Sequence, residues 1–323
     1  MLRVDKKTKI ELLRLMERSR LFEEKIVSVY GKQDMKTPVH LYIGQEAVAA
    51  GVCAHLKRAD YIFSTHRNHG HYLSKGADMA SLVAELYGRQ TGCSKGKGGS
   101  MHFVDASFGC MGTTAIVGGC IPLAVGAALA AKVKKESRIS VAFFGDGAAD
   151  EGVLQESLNF AALHKLPVVF VCENNYYATN SHQAARHARE NIAKRGQAFG
   201  IHSFRHDGNN VEAVYIAARK AVNRARRGLG PTLLEFTTYR WKGHVGPDCD
   251  HLKGCRPQAE LESWQKFCPI EAYKKIILKE HILEQSGIDS LCAGISAEIE
   301  AAWAKALSAP YPQAEELYKD VYR

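Results

Sequence analysis

Ile139-Ser140-Val141-Ala142-Phe143-Phe144-Gly145-Asp146-Gly147 and, one helix later, Val168-Val169-Phe170-Val171-Cys172-Glu173-Asn174-Asn175 decide the fold. Each opens as a continuous apolar run without alternation, which marks a parallel strand covered on both faces. Val153 to His164 reads as a helix between them, so the three segments form a βαβ unit of about thirty residues. A right-handed crossover puts both carboxyl ends on the same sheet edge, where open parallel sheets bind ligands. Asp146 and Asn175 can therefore converge on one small object. A carboxylate and an amide oxygen are hard ligands that suit Mg²⁺ or Ca²⁺ and not zinc. Mg²⁺ held by few protein groups commonly shares its shell with phosphate oxygens. Gly145 and Gly147 let the backbone approach those oxygens, and the helix that begins near Gly152 aims its N-terminus at them. The unit thus reads as a site for Mg²⁺ and a diphosphate. Alone, a Gly-Asp-Gly turn is a common tight turn; the Asn174-Asn175 pair one crossover later gives the reading its weight. The next glycine after Gly147 is Gly152, so the GxGxxG pattern of a nicotinamide site is missing.

Outward from this unit, Gly118 to Lys132 suits a small-residue helix, and Tyr61 to Ser64 and Thr232 to Thr238 suit strands. Amphipathic spacing of Leu12, Leu13, Leu15, Met16, Leu21, Phe22 and Ile26 predicts an N-terminal helix. Glu46 to His55 and Met79 to Tyr87 read as further helices. The fold class expected is α/β: a parallel sheet flanked by helices. One domain covers 1–323, with a helical N-terminal extension (1–35) and a helical C-terminal extension (258–323). Residues 243–257 carry glycine and proline without periodicity and read as a long loop. Gly92 to Ser100 is glycine-rich but lacks the GxxxxGK[ST] spacing of a P-loop.

The 323 residues are 46% apolar and 24% charged, ordinary globular values that exclude disorder and collagen-like repeats. No run of 18 uncharged apolar residues suggests a membrane span, and charges throughout the first twenty residues argue against a secretory leader. Nine cysteines occur without a CxxC pair, which disfavours a zinc or thioredoxin-type motif. A cytoplasmic location is the expectation. The net charge of +9 has no nucleic-acid motif beside it, so a basic solvated surface is preferred to a polyanion partner.

Gly-Asp-Gly, 26 residues and then Asn-Asn resembles the motif of thiamine diphosphate enzymes. The strings HLYIGQEAVAAG, GCSKGKGGSMH, IVGGCIPLAVGAALA, FFGDGAADEG and ALHKLPVVFVCENN narrow the match. With them the chain resembles the α subunit of the E1 component of 2-oxo acid dehydrogenase complexes, from about Leu12 to the terminal tail. That group includes pyruvate, branched-chain 2-oxo acid and acetoin dehydrogenases. The resemblance implies the diphosphate-binding type of thiamine diphosphate fold. It implies Mg²⁺ ligands in Asp146, Asn175 and the Tyr177 carbonyl, and backbone donors to the diphosphate in Gly147 and Ala148. It further implies a diphosphate clamp in Arg67, and contacts to the cofactor rings from Ala115 and Val117. His244 would be the active-site histidine on a mobile loop, also touching the cofactor. His69 would lie near the cofactor and His40 near the substrate.

The chain departs from that pattern in places. His66 stands where many members have tyrosine; an imidazole can still donate to a phosphate, and the string STHRxHGH looks more like the acetoin branch. Ala115 replaces a glycine, Ala178-Thr179 replaces a glycine and a larger residue, and Val245 stands where kinase-regulated members have serine. The resemblance implies that a separate β subunit supplies the glutamate for the cofactor's pyrimidine, giving an α₂β₂ assembly that serves a lipoyl-bearing E2. The reaction implied is decarboxylation of a 2-oxo acid, pyruvate first, or cleavage of acetoin. The alternatives are another transketolase-like or synthase half-enzyme, a nicotinamide dehydrogenase and a non-enzymatic basic interaction protein.

Overall fold

The computed structural model describes residues 4–319; the first three residues of the N-terminal extension and the last four of the C-terminal extension lie outside the described residues. In chain order the helices are α1 (Lys6–Tyr30), α2 (Glu46–Cys53), α3 (His69–Ser74), α4 (Met79–Leu86), α5 (Cys120–Val133), α6 (Gly152–Leu163), α7 (Ala193–Ala198), α8 (Val211–Arg226), α9 (Gln258–Lys266), α10 (Pro269–Lys279) and α11 (Gln285–Ser308). The strands are β1 (Tyr61–Thr65), β2 (Cys110–Thr114), β3 (Ser140–Gly145), β4 (Val168–Asn174), the short hairpin β5 (Tyr177–Ala178) and β6 (Ser181–His182), β7 (His202–Asp207) and β8 (Thr232–Thr237).

Six strands form one sheet in the order β2-β1-β3-β4-β8-β7, and every neighbouring pair is parallel. The central βαβ reading holds: β3 pairs with β4 from Ser140 opposite Val168 to Gly145 opposite Glu173. Alternate residues of β3 enter opposite layers. Val141 and Phe143 pack with α2, α4, α8 and α11; Ala142 and Phe144 pack with α5 and α6. The expected terminal extensions share that first layer, since Phe22 and Ile26 of α1 and Ile295 and Trp303 of α11 join the same buried cluster.

β2 and β7, which the apolar-run criterion missed, are the two edges of the sheet. Cys-Met-Gly-Thr-Thr buries only its first residue, and His-Ser-Phe-Arg-His-Asp buries only Ser203. An edge strand needs no continuous apolar run and tolerates charge. The glycine-rich segment is explained by Glu85. Its buried carboxylate accepts from the backbone N–H groups of Ser94 (2.7 Å), Gly96 (3.0 Å), Gly98 (2.7 Å) and Gly99 (3.3 Å). Those amides are thus committed to the protein itself.

The strand order reverses beside β1 and β3. The chain moves from β1 to β2 on one side, then returns across β1 to β3 and β4. The crevice outside the carboxyl ends at such a reversal is where doubly wound sheets bind ligands.

Candidate active site

A cavity of about 330 Å³ lies at this point. The ends of five strands feed it: Thr65, His66 and Arg67 after β1, Thr114 and Val117 after β2, Gly145 to Ala148 after β3, Asn175 and Tyr177 after β4, and His244 beyond β8. The structure therefore brings Asp146, Gly147, Ala148, Asn175, Tyr177, His66, Arg67, Val117 and His244 to one cavity. Ala115 sits exposed at the end of β2 and does not line it.

Local chemistry fixes these positions. Asp146 opens a 3-10 turn to Asp150, after which α6 starts. A Cβ on Gly147 would stand 2.8 Å from Ala178 Cβ, so the turn and the β5 strand touch only because residue 147 is glycine. Asn175 Oδ1 accepts from Tyr177 N at 3.2 Å, and its Nδ2 donates to Gln45 Oε1 at 3.0 Å. Gln45 Nε2 is buried without a partner.

Arg67 is buried; it donates to Leu41 O and, at 3.2 Å, to His244 O. Among the described residues no carboxylate pairs with it directly, and Glu23 and Glu173 act on it only through longer-range charge. Burial and then the Arg240 guanidinium push it down, to about 9, which leaves it charged at neutral pH. A buried cation without a direct ion pair is costly unless an anion is supplied. That observation fits a diphosphate. The donor set of Asp146, Asn175 and the Tyr177 carbonyl fits a hard dication. Asp146 and Asp150 meanwhile pair with Arg186, which follows the β5-β6 hairpin. Burial raises the Asp146 pKa, opposed by Arg186.

His244 is held by its loop. Trp241 N donates to Ile43 O (3.1 Å) and Gly246 N to Val39 O (2.8 Å). Arg256 donates to the carbonyls of Arg240 (2.6 Å) and Lys242 (3.0 Å). The mobile loop expected here is thus anchored on both sides of the histidine. Gly44 permits the approach: its φ is +101°, and a Cβ would stand 2.4 Å from Tyr239 O. His40, buried behind the cavity wall, meets both His66 and His244 edge-on, with ring centroids 4.5 and 5.3 Å away. Burial, then the charge of Arg67, holds His40 down to about 3, His66 to about 2 and His244 to about 3.

His69 is placed differently from the expectation. It is fully buried, with Nδ1 3.0 Å from Glu23 Oε1 and Nε2 2.9 Å from Ser100 Oγ. Both ring nitrogens are engaged, and the ring does not line the cavity. Its neighbour in the motif, His71, links Ser64 Oγ (2.7 Å) to Glu173 Oε1 (3.1 Å). Gln45, Glu173, Asp150 and Arg186 were not singled out from the sequence. Gln45 and Glu173 lie inside the quoted HLYIGQEAVAAG and CENN strings, whereas Arg186 carries no local signal.

Together these features define an α/β protein with a cavity at the carboxyl edge of its sheet whose lining suits a diphosphate. The chain belongs to the dehydrogenase E1 component family, whose model matches residues 14–315. The family is one of oxidoreductases, and membership implies thiamine diphosphate. The chain is 42% identical over 301 residues to the alpha subunit of acetoin:2,6-dichlorophenolindophenol oxidoreductase of Bacillus subtilis (strain 168), covering 93% of this chain and 89% of that one. A subunit of the same name from Cupriavidus necator is 38% identical over 319 residues, covering 99% and 95%. The pyruvate dehydrogenase E1 component subunit alpha of Porphyra purpurea is 40% identical over 325 residues, covering 98% and 94%. Among the described residues no helix is long and apolar enough to cross a membrane.

Proposed function

We propose that this chain is the α subunit of a thiamine diphosphate-dependent E1 enzyme that cleaves acetoin and passes the acyl group to a lipoyl-bearing E2. The observation that carries the substrate choice is the contact of His66 with both His40 and His244. Relatives named as acetoin:2,6-dichlorophenolindophenol oxidoreductase subunits support the choice of acetoin. Asp146, Asn175 and the Tyr177 carbonyl would hold Mg²⁺; Arg67 and the amides of Gly147 and Ala148 would hold the diphosphate. Bound thiamine diphosphate would supply carbanion stabilisation at the substrate carbonyl carbon.

The residues of this chain do the proton work. A hydroxyketone must surrender its hydroxyl proton as the carbon–carbon bond breaks, whereas a 2-oxo acid releases carbon dioxide from a carboxylate already ionised. Neutral imidazoles can accept that proton. Arg67 is the largest charge holding them neutral, so a diphosphate bound at Arg67 raises their basicity when it is needed.

An exposed apolar surface supports a β-subunit partner. Ile116, Leu123 and Leu163 are 75%, 56% and 73% exposed beside the cavity mouth and along α5 and α6. The outer face of α5 adds Pro122, Gly126 and Ala130, with no charge before Lys132. Large exposed apolar patches mark interaction sites.

Turnover of the co-purified α and β chains on acetoin, pyruvate and 2-oxoisovalerate, with 2,6-dichlorophenolindophenol as acceptor, tests the proposal. Acetoin should give the highest kcat/KM, and the α chain alone should give no turnover. A preference for pyruvate would move the chain to the second reading, which the relatives named as pyruvate dehydrogenase subunits favour.

A further inference from the structure

We propose that His40, His66 and His244 form a three-imidazole site for a borderline divalent transition metal such as Zn²⁺, separate from the Mg²⁺ position and open toward the cavity. One ring nitrogen from each lies within 4.8 Å of the others. The ring centroids are 4.5, 5.2 and 5.3 Å apart. Three imidazoles on a tetrahedral ion with metal–nitrogen bonds of about 2.0–2.1 Å have centroids about 5.2 Å apart. His244 is therefore already spaced for a metal from both His66 and His40, while His40 and His66 stand closer, and ring rotation must close the remaining gap between nitrogens.

The rings are also uncommitted. His40 Nδ1 is buried without a partner, and among the described residues none of the three side chains hydrogen-bonds another protein group. This contrasts with His69 and His71, whose nitrogens are both engaged. Burial keeps all three neutral, the form that ligates. Three protein ligands and one open position is the arrangement of an accessible zinc site. The nearby Arg67 and Arg240 guanidiniums oppose any dication, so the site answers to metals with high imidazole affinity and not to Mg²⁺. On the proposed function, and only there, a metal bound at these nitrogens would occupy the lone pairs that accept protons and inhibit turnover.

The inference rests on ring positions, not on the cofactor or substrate reading, and its test needs neither. The full chain, purified without thiamine diphosphate, is titrated with Co²⁺ in excess Mg²⁺ and followed by visible absorption. The expected result is one Co²⁺ per chain with the intense visible bands of tetrahedral nitrogen-ligated Co²⁺, bleached by Zn²⁺. His66→Phe and His66→Tyr should each abolish the bands while circular dichroism stays unchanged, and either folded variant suffices. No band in the wild-type chain overturns the proposal. So do bands that persist in a folded His66 variant, bands of thiolate character alone, or loss of the bands to Mg²⁺.

Discussion

Replacing Arg186 with alanine should tighten the binding of Mg²⁺ with thiamine diphosphate. Arg186 pairs with Asp146, whose side chain is 1% exposed against 15% for the arginine. A metal ion at Asp146 must displace that guanidinium. A hydrogen bond to a charged group is worth about 1.5–3 kcal/mol. Displacement costs less than the full value, because Arg186 keeps its Asp150 partner and regains water. A net cost of about 1–2 kcal/mol converts to roughly a 5- to 30-fold gain in affinity for the alanine variant. Isothermal titration of the assembled α/β enzyme with thiamine diphosphate at saturating Mg²⁺ reads this directly. Arg186→Lys should fall between alanine and wild type. A fall in affinity for Arg186→Ala would refute the reasoning, because Arg186 would then hold the ligand instead of competing with it.

Glu85→Ala removes the acceptor of four backbone N–H groups and should lower stability by at least about 3 kcal/mol, read as a shift in the urea midpoint. His244→Ala in the assembled enzyme should lower kcat by at least about tenfold with cofactor affinity nearly unchanged, since Arg67, Asp146 and Asn175 remain. Collapse of cofactor affinity with normal kcat would make the histidine a binding residue. The pH dependence follows from His40, His66 and His244, whose folded values of about 3, 2 and 3 lie below the ordinary 6.5. Their neutral burial contributes stability that is present above pH 6.5 and lost as pH falls toward 3. Denaturant titrations from pH 7 to pH 4 should therefore show falling stability, with a shallower fall in His66→Phe.

The central strands were legible because β3 and β4 are covered on both faces and are apolar except for Ser140 at the start of β3 and Glu173 and Asn174 at the end of β4. The same physics hid β2 and β7, which lie at the edges and bury one residue each. Asp146 and Asn175 could be placed together because a parallel crossover puts strand ends on one edge. The link from Asp146 to Arg186, 40 residues later, depends on how the β5-β6 hairpin folds back, and no period or motif encodes that. His69 is the converse case. Its motif points to the site, yet Glu23 from α1 and Ser100 from the glycine-rich segment hold both its nitrogens inside the protein.

On the proposed function, Asp146 anchors the cation that carries the diphosphate. Titrating thiamine diphosphate into the α/β enzyme, with and without Mg²⁺, for the wild type and Asp146→Asn tests it most directly. The account predicts Mg²⁺-dependent binding in the wild type and, in the near-isosteric variant, affinity weaker by at least about tenfold with the metal dependence largely lost. Equal affinity in the two proteins, with and without metal, would contradict it.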